Sequence, residues 1–138
     1  MKGQSSMEVF ITIGIVIAFT IPVLFLLLSV TSVGYENTAI AQADASARSL
    51  ADSLNFVYYQ GPGAKRTVLL NLPPNTERVV VTAGEATVTI RTRAGEFDAV
   101  APTFAKISSR TQQVSGTGLV SFVIQNNNGE VEIVGSNP

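Results

Sequence analysis

The chain has 138 residues, with nine basic and ten acidic side chains, a length that fits one globular domain at most beside any membrane segment. It contains no Cys and no His, which excludes disulfides, a Cys nucleophile, His metal ligands and a Ser-His-Asp triad. The net charge of −1 gives no basic surface of the kind that binds nucleic acid. We therefore expect no enzymatic activity, no metal, no cofactor and no nucleic-acid partner.

The first predicted element is an apolar helix. Residues 9–33, called the apolar segment below, contain no charged side chain. At about 1.5 Å per residue they span roughly 37 Å as a helix, more than the roughly 30 Å of bilayer hydrocarbon. The hydroxyl groups in this segment can donate to helix carbonyls one turn earlier, so lipid tolerates them. The segment therefore predicts a transmembrane helix.

Two features argue against a cleavable secretory signal. The segment is longer than the roughly 7–15 apolar residues of such signals, and no A-x-A-like cleavage site stands at its end. Two interpretations remain from the apolar residues alone. One is an ordinary membrane anchor, and the other is a helix that also packs against copies of itself.

The residues before the apolar segment favour the second interpretation. Glu8 stands immediately before it, although cytoplasmic flanks usually carry Lys or Arg and a carboxylate is costly in lipid. The stretch Gln4-Ser5-Ser6-Met7-Glu8 resembles the Gln-x-Ser-x-Glu pattern of the class III signal peptides of archaeal type IV pilin-like proteins. This resemblance implies that a prepilin-type peptidase cleaves between Gly3 and Gln4 on the cytoplasmic side.

The resemblance continues more loosely at residues 50–68, which look like a helix-to-head junction, and at residues 118–120 with the Asn-rich turn that follows. It implies a pilin-like fold and a self-assembling surface filament, built by pilus assembly machinery and used for adhesion. The precursor would wait in the plasma membrane. Lys2 precedes the apolar segment and no basic residue follows until Arg48, which predicts the N-terminus inside and the rest outside. The alternative is a membrane-anchored extracellular β domain that acts as a binding module or a minor assembly component.

Two roles are open for Glu8. Ser5 and Glu8 have the spacing of a capping box, in which Ser5 is the N-cap, and a carboxylate suits the positive end of a helix. Alternatively, Glu8 pairs with the new α-amino group of Gln4 on a neighbouring copy, and this pairing selects one stagger between subunits because an unpaired buried carboxylate is costly. Cyclisation of an N-terminal Gln removes that amine, and Glu8 then needs another donor.

The helix is predicted to continue well beyond the apolar segment. The sequence turns Ala-rich after Thr38, lacks Pro and Gly between Tyr35 and Gln60, and then reaches the breaker Gly61-Pro62-Gly63. These signals predict one helix over residues 6–59. An apolar stripe at helical spacing predicts the side chains that pack against the rest of the chain, above all Leu50, Leu54 and Val57, preceded by Ala43 and Ala47.

Short β runs fill residues 64–138, called the head below. The alternation of side chains predicts five to seven antiparallel strands, at 67–72, 78–82, 86–93, 97–101, 104–108, 118–125 and 130–134. Asn127-Asn128-Gly129-Glu130 is typical of a hairpin turn. A sheet this small buries little apolar surface by itself. We therefore expect either that the helix covers one face of a single sheet, or that two sheets form a sandwich around the helix.

The predicted class is therefore α+β, a long N-terminal hydrophobic helix packed onto a small antiparallel sheet or sandwich. The predicted parts are a cleaved leader at 1–3, a helix at 4–60 with the apolar segment as membrane span or filament core, and the head at 64–138.

Overall fold

A computed structural model describes residues 2–108 and 112–137. The chain is α+β, with one long N-terminal apolar helix packed onto antiparallel sheets, and this confirms the predicted fold class. The elements are α1 Lys2–Gln60, β1 Lys65–Leu72, β2 Thr76–Thr82, β3 Glu85–Thr92, β4 Gly95–Pro102, β5 Gln112–Val114, β6 Gly118–Asn127 and β7 Glu130–Asn137. The chain divides into two units, Met1–Glu36 and Asn37–Pro138, and the residues of the first that the structure describes all belong to α1.

The end of α1 follows from its breaker sequence. The helix ends at Gln60, and the two glycines that follow, Gly61 and Gly63, have φ values of 89° and 90°. Glycine reaches this left-handed region without the steric cost that a side chain brings. The chain reverses through a turn in which the Ala64 N–H donates to the Gly61 carbonyl at 3.2 Å, and β1 begins at Lys65.

The second unit holds two antiparallel sheets. The order is β1-β6-β7 in the first and β4-β3-β2-β5 in the second, so the single-sheet alternative is wrong. Residues 106–108 run parallel to β7, where the Ser108 N–H donates to the Val131 carbonyl at 3.0 Å and the Val131 N–H donates to the Lys106 carbonyl at 2.8 Å. The chain leaving the second sheet is thereby fixed to the first.

Two strand predictions differ from the structure. Residues 104–108 do not form a strand, because Pro102 ends β4 and the backbone N–H groups of Phe104 and Ala105 donate to a side chain of α1 instead of to a neighbouring strand. The strand β5 was not predicted. It has three residues and pairs only with β2 at the sheet edge, so it is too short to show an alternating pattern.

One hydrophobic core joins the helix to both sheets. Burial alternates along β6, where Val120, Phe122 and Ile124 are buried, as it does along β1. These side chains share a single cluster with residues of α1 and of β2, β3, β4 and β7. The largest fully buried side chains are Phe122, Leu50, Leu54, Leu70, Leu72, Ile90 and Ile124. The second half of α1 therefore supplies core that the two small sheets lack.

A pair of Leu→Ala substitutions tests this packing. Leu54 is 0% exposed and Leu69 is 59% exposed. Leu54→Ala should lower the free energy of unfolding by about 2–5 kcal/mol because it leaves a cavity in the core. Leu69→Ala, which removes the same atoms from the surface, should change it by less than about 0.5 kcal/mol. Denaturant unfolding of the full chain in detergent measures both, and equal effects would contradict the placement of the helix in the core.

Candidate membrane and assembly helix

The first unit presents an apolar surface with no cover of its own. Every apolar side chain described in the apolar segment is exposed, with Phe19 at 72% and Leu28 at 68%. A contiguous apolar surface of this size on a water-soluble chain marks a contact with lipid or with another protein. By length and composition α1 is able to cross a membrane. An N-terminal helix of this kind can anchor the chain in a bilayer.

Several hydroxyl groups of this segment form hydrogen bonds within the helix. The hydroxyls of Thr12, Ser29 and Thr31 donate to the carbonyls of Glu8, Phe25 and Leu27, each four residues earlier, at 2.8–2.9 Å. These groups need no water, so burying them in lipid or between helices leaves no unpaired donor. The sequence predicted this bonding pattern and the structure confirms it at these three residues.

Glu8 is the only charged residue between Gly3 and Tyr35. It lies on one helix face with Ser5, Val9, Thr12 and Ile13, which line a shallow depression. None of the side chains that the structure describes forms an ion pair with Glu8. A charged carboxylate at this place is therefore costly to bury in an apolar environment unless a neighbouring group supplies a counter-charge.

The capping-box hypothesis is wrong for the uncleaved chain. The helix begins at Lys2, so Ser5 lies inside α1 with helical neighbours on both sides and is not its N-cap. Gly3 and Gln4, the residues on either side of the predicted cleavage point, are exposed within the first turn. The intermolecular role of Glu8 stays a prediction.

The second half of α1 carries the predicted packing residues. Leu50, Leu54 and Val57 are all 0% exposed and lie in the core cluster with residues of both sheets. Ala43 and Ala47 are equally buried, and their small side chains allow the strands to lie close to the helix. The buried stripe is broader than predicted, because Ser46 and Ser53 are also buried.

Asn126 is a polar residue that sequence reasoning missed as a packing residue. Its side chain is buried, with 1% of the residue exposed. Its Nδ2 donates to the carbonyls of Val57 and Tyr58 at 3.3 and 3.4 Å, and its Oδ1 accepts from the Gly129 N–H at 2.9 Å. Its backbone N–H donates to the Ala64 carbonyl at 2.8 Å, and its carbonyl accepts from the Gly63 N–H at 2.9 Å.

These bonds, which we call the Asn126 clamp, join three parts of the second unit. They supply donors to carbonyls at the end of α1, which have no partner within the helix. They also hold the turn after α1 and the hairpin between β6 and β7. A signal for the clamp is present in the sequence. The alternation of Val120, Phe122 and Ile124 continues to position 126, and a polar residue at an inward position requires hydrogen-bond partners.

Further hydrogen bonds tie the helix to the outer strands of the two sheets. Asn55 Oδ1 accepts from Thr103 Oγ1 and the Phe104 N–H, both at 2.8 Å, just after β4. Gln42 Nε2 and Ser46 Oγ donate to the Asn71 carbonyl of β1 at 2.9 and 3.0 Å. Because β1 is an edge strand, the contacts to Asn71 also occupy a group that such an edge otherwise offers to other chains.

No protein family, no curated protein and no solved structure matches this chain. The case for function therefore rests on the exposed apolar helix, on Glu8 and on the residues that precede it.

Two Asn→Ala substitutions test the Asn126 clamp. Asn126→Ala removes bonds from buried groups and should lower the free energy of unfolding by about 1–3 kcal/mol. Its neighbour Asn127 is exposed, so Asn127→Ala should change stability by less than about 0.5 kcal/mol. Denaturant unfolding measures the difference. A stability loss in Asn127→Ala as large as that in Asn126→Ala would show that the clamp contributes nothing particular.

Proposed function

We propose that this chain is the precursor of a structural subunit of an archaeal type IV pilus-like surface filament, with adhesion as its role. A prepilin-type peptidase removes residues 1–3, the apolar segment holds the precursor in the membrane, and pilus assembly machinery transfers the helix from lipid into a bundle of copies. The head is the part exposed at the cell surface.

One observation carries this proposal: the exposed apolar segment of α1 begins directly after a lone carboxylate, at the spacing of the class III signal pattern. Lipid covers the apolar side chains but gives Glu8 no counter-charge. A neighbouring copy supplies both, since its apolar helix covers the side chains and its Gln4 α-amino group pairs with the carboxylate. The internally bonded hydroxyls of Thr12, Ser29 and Thr31 suit transfer between these two surroundings.

A second candidate function is a membrane-anchored extracellular β domain, either a binding module or a minor component of a pilus-like assembly. The second unit favours it, because the core that the head forms with residues 37–60 requires no second copy. The two candidates differ in the fate of the leader and in whether the apolar segment leaves the bilayer.

The mature N-terminus distinguishes them. In native cells we expect the leader to be lost and the chain to begin at Gln4 or at its cyclised form, because the peptidase cleaves after Gly3. Mass spectrometry of the intact protein and of its N-terminal peptide measures this. The control is Gly3→Val, which should block cleavage and leave Met1–Gly3 or Lys2–Gly3 in place. A wild-type chain that keeps its leader supports the anchor.

The Glu8 role has its own test. Glu8→Ala should insert in the membrane as the wild type does but should lose filaments, because the stagger between helices is no longer selected by an ion pair. Asp52→Ala removes an exposed carboxylate from the same helix outside the apolar segment and should assemble normally. Electron microscopy of cell-surface filaments, with the membrane level of each variant measured by immunoblot, compares them. Normal filaments from Glu8→Ala would refute the intermolecular pairing.

A further inference from the structure

The hairpin between β6 and β7 contains a reactive pair of residues. Asn128 is the only Asn followed by Gly in the chain. In such a pair, the backbone nitrogen of the glycine can attack the side-chain carbonyl carbon of the asparagine, and no side chain on the glycine hinders the approach. Both Asn128 and Gly129 have positive φ, at 53° and 90°, as the two-residue type I′ turn requires.

The reaction of this pair needs no co-reactant other than water. A bond forms between the Gly129 nitrogen and Asn128 Cγ, the bond from Cγ to Nδ2 breaks, and the Gly129 proton leaves with Nδ2 as ammonia. The product is a five-membered succinimide. Water then opens the ring at either carbonyl, and residue 128 becomes aspartate or isoaspartate.

In the folded chain the Gly129 nitrogen is engaged in a hydrogen bond that hinders this reaction. The Gly129 N–H donates to Asn126 Oδ1 at 2.9 Å, and Asn126 is itself fixed by its bonds to the carbonyls of Val57 and Tyr58. A nitrogen whose proton is engaged by a buried acceptor must give up that hydrogen bond before it can lose the proton and reach Cγ. Because the other bonds of the Asn126 clamp hold this acceptor in place, the hydrogen bond is released only when the hairpin turn moves away from Asn126 or the clamp itself opens.

We propose that Asn128–Gly129 is a succinimide-forming modification site, and that the Asn126 clamp suppresses this reaction while the head is folded. Copies in which the hairpin opens accumulate aspartate or isoaspartate at 128, and folded copies do not. The modification in turn destabilises the hairpin in which it occurs. Isoaspartate lengthens the backbone of a two-residue turn, and either product places a new carboxylate near Glu130, opposite Asn127 in the hairpin. The inference does not depend on whether the chain polymerises.

The first test compares the folded full chain in detergent with the same chain in denaturant, at one pH and temperature. Peptide mapping by mass spectrometry separates asparagine, aspartate and isoaspartate at position 128. We expect conversion to be at least about tenfold slower in the folded chain, because the reaction must wait for local opening of the hairpin. Equal rates in the two states would overturn the proposal.

The second test separates the clamp from general stability. Asn126→Ala removes the acceptor of the Gly129 N–H, whereas Val88→Ala lowers stability from the other sheet and leaves the clamp intact. The two variants are compared at denaturant concentrations that give them the same free energy of unfolding. Conversion at position 128 should be about fivefold faster in Asn126→Ala than in Val88→Ala, because the loss of one hydrogen bond makes the opening of the turn more favourable by about that factor. Equal rates at matched stability would show that Asn126 does not guard the site.

Discussion

The fold depends on one constraint, which is that the second half of α1 must be buried for the two sheets to have a core. A three-stranded and a four-stranded sheet cannot each bury enough apolar surface alone, and Leu50, Leu54 and Val57 supply the missing interior. The same helix hydrogen-bonds to the edge strand β1 through Gln42 and Ser46, and to the residues that follow β4 through Asn55. Core formation and these hydrogen bonds therefore come from one element.

The two halves of α1 differ in how their apolar side chains are covered. Residues 37–60 find their cover within the chain, whereas the apolar segment finds none. Its apolar surface and its internally bonded hydroxyls are suited to an environment without water, and lipid and other apolar helices both provide one. Glu8 distinguishes these two environments, because a charged carboxylate is costly to bury without a counter-charge.

Polar groups, more than apolar ones, set the details of the head. Asn126 joins the end of α1, the turn at Gly63 and the hairpin at Gly129 through its side chain and backbone. A residue that joins three segments makes their stabilities interdependent, so the end of the helix and the hairpin should open together. This coupling is also what would keep the Asn128–Gly129 pair unreactive while the head stays folded.

Local patterns in the sequence determined the long helix, its end at Gly61-Pro62-Gly63, most of the strands and the turn at Asn128–Gly129, because periodicity and the φ preference of glycine act over a few residues. Tertiary structure decided that there are two sheets, that β5 pairs with β2, and that residues 103–105 bind Asn55 in place of forming a strand. It also decided the partners of Asn126. Such choices depend on contacts between residues far apart in the chain, and no local pattern encodes which distant partner satisfies a given strand or side chain.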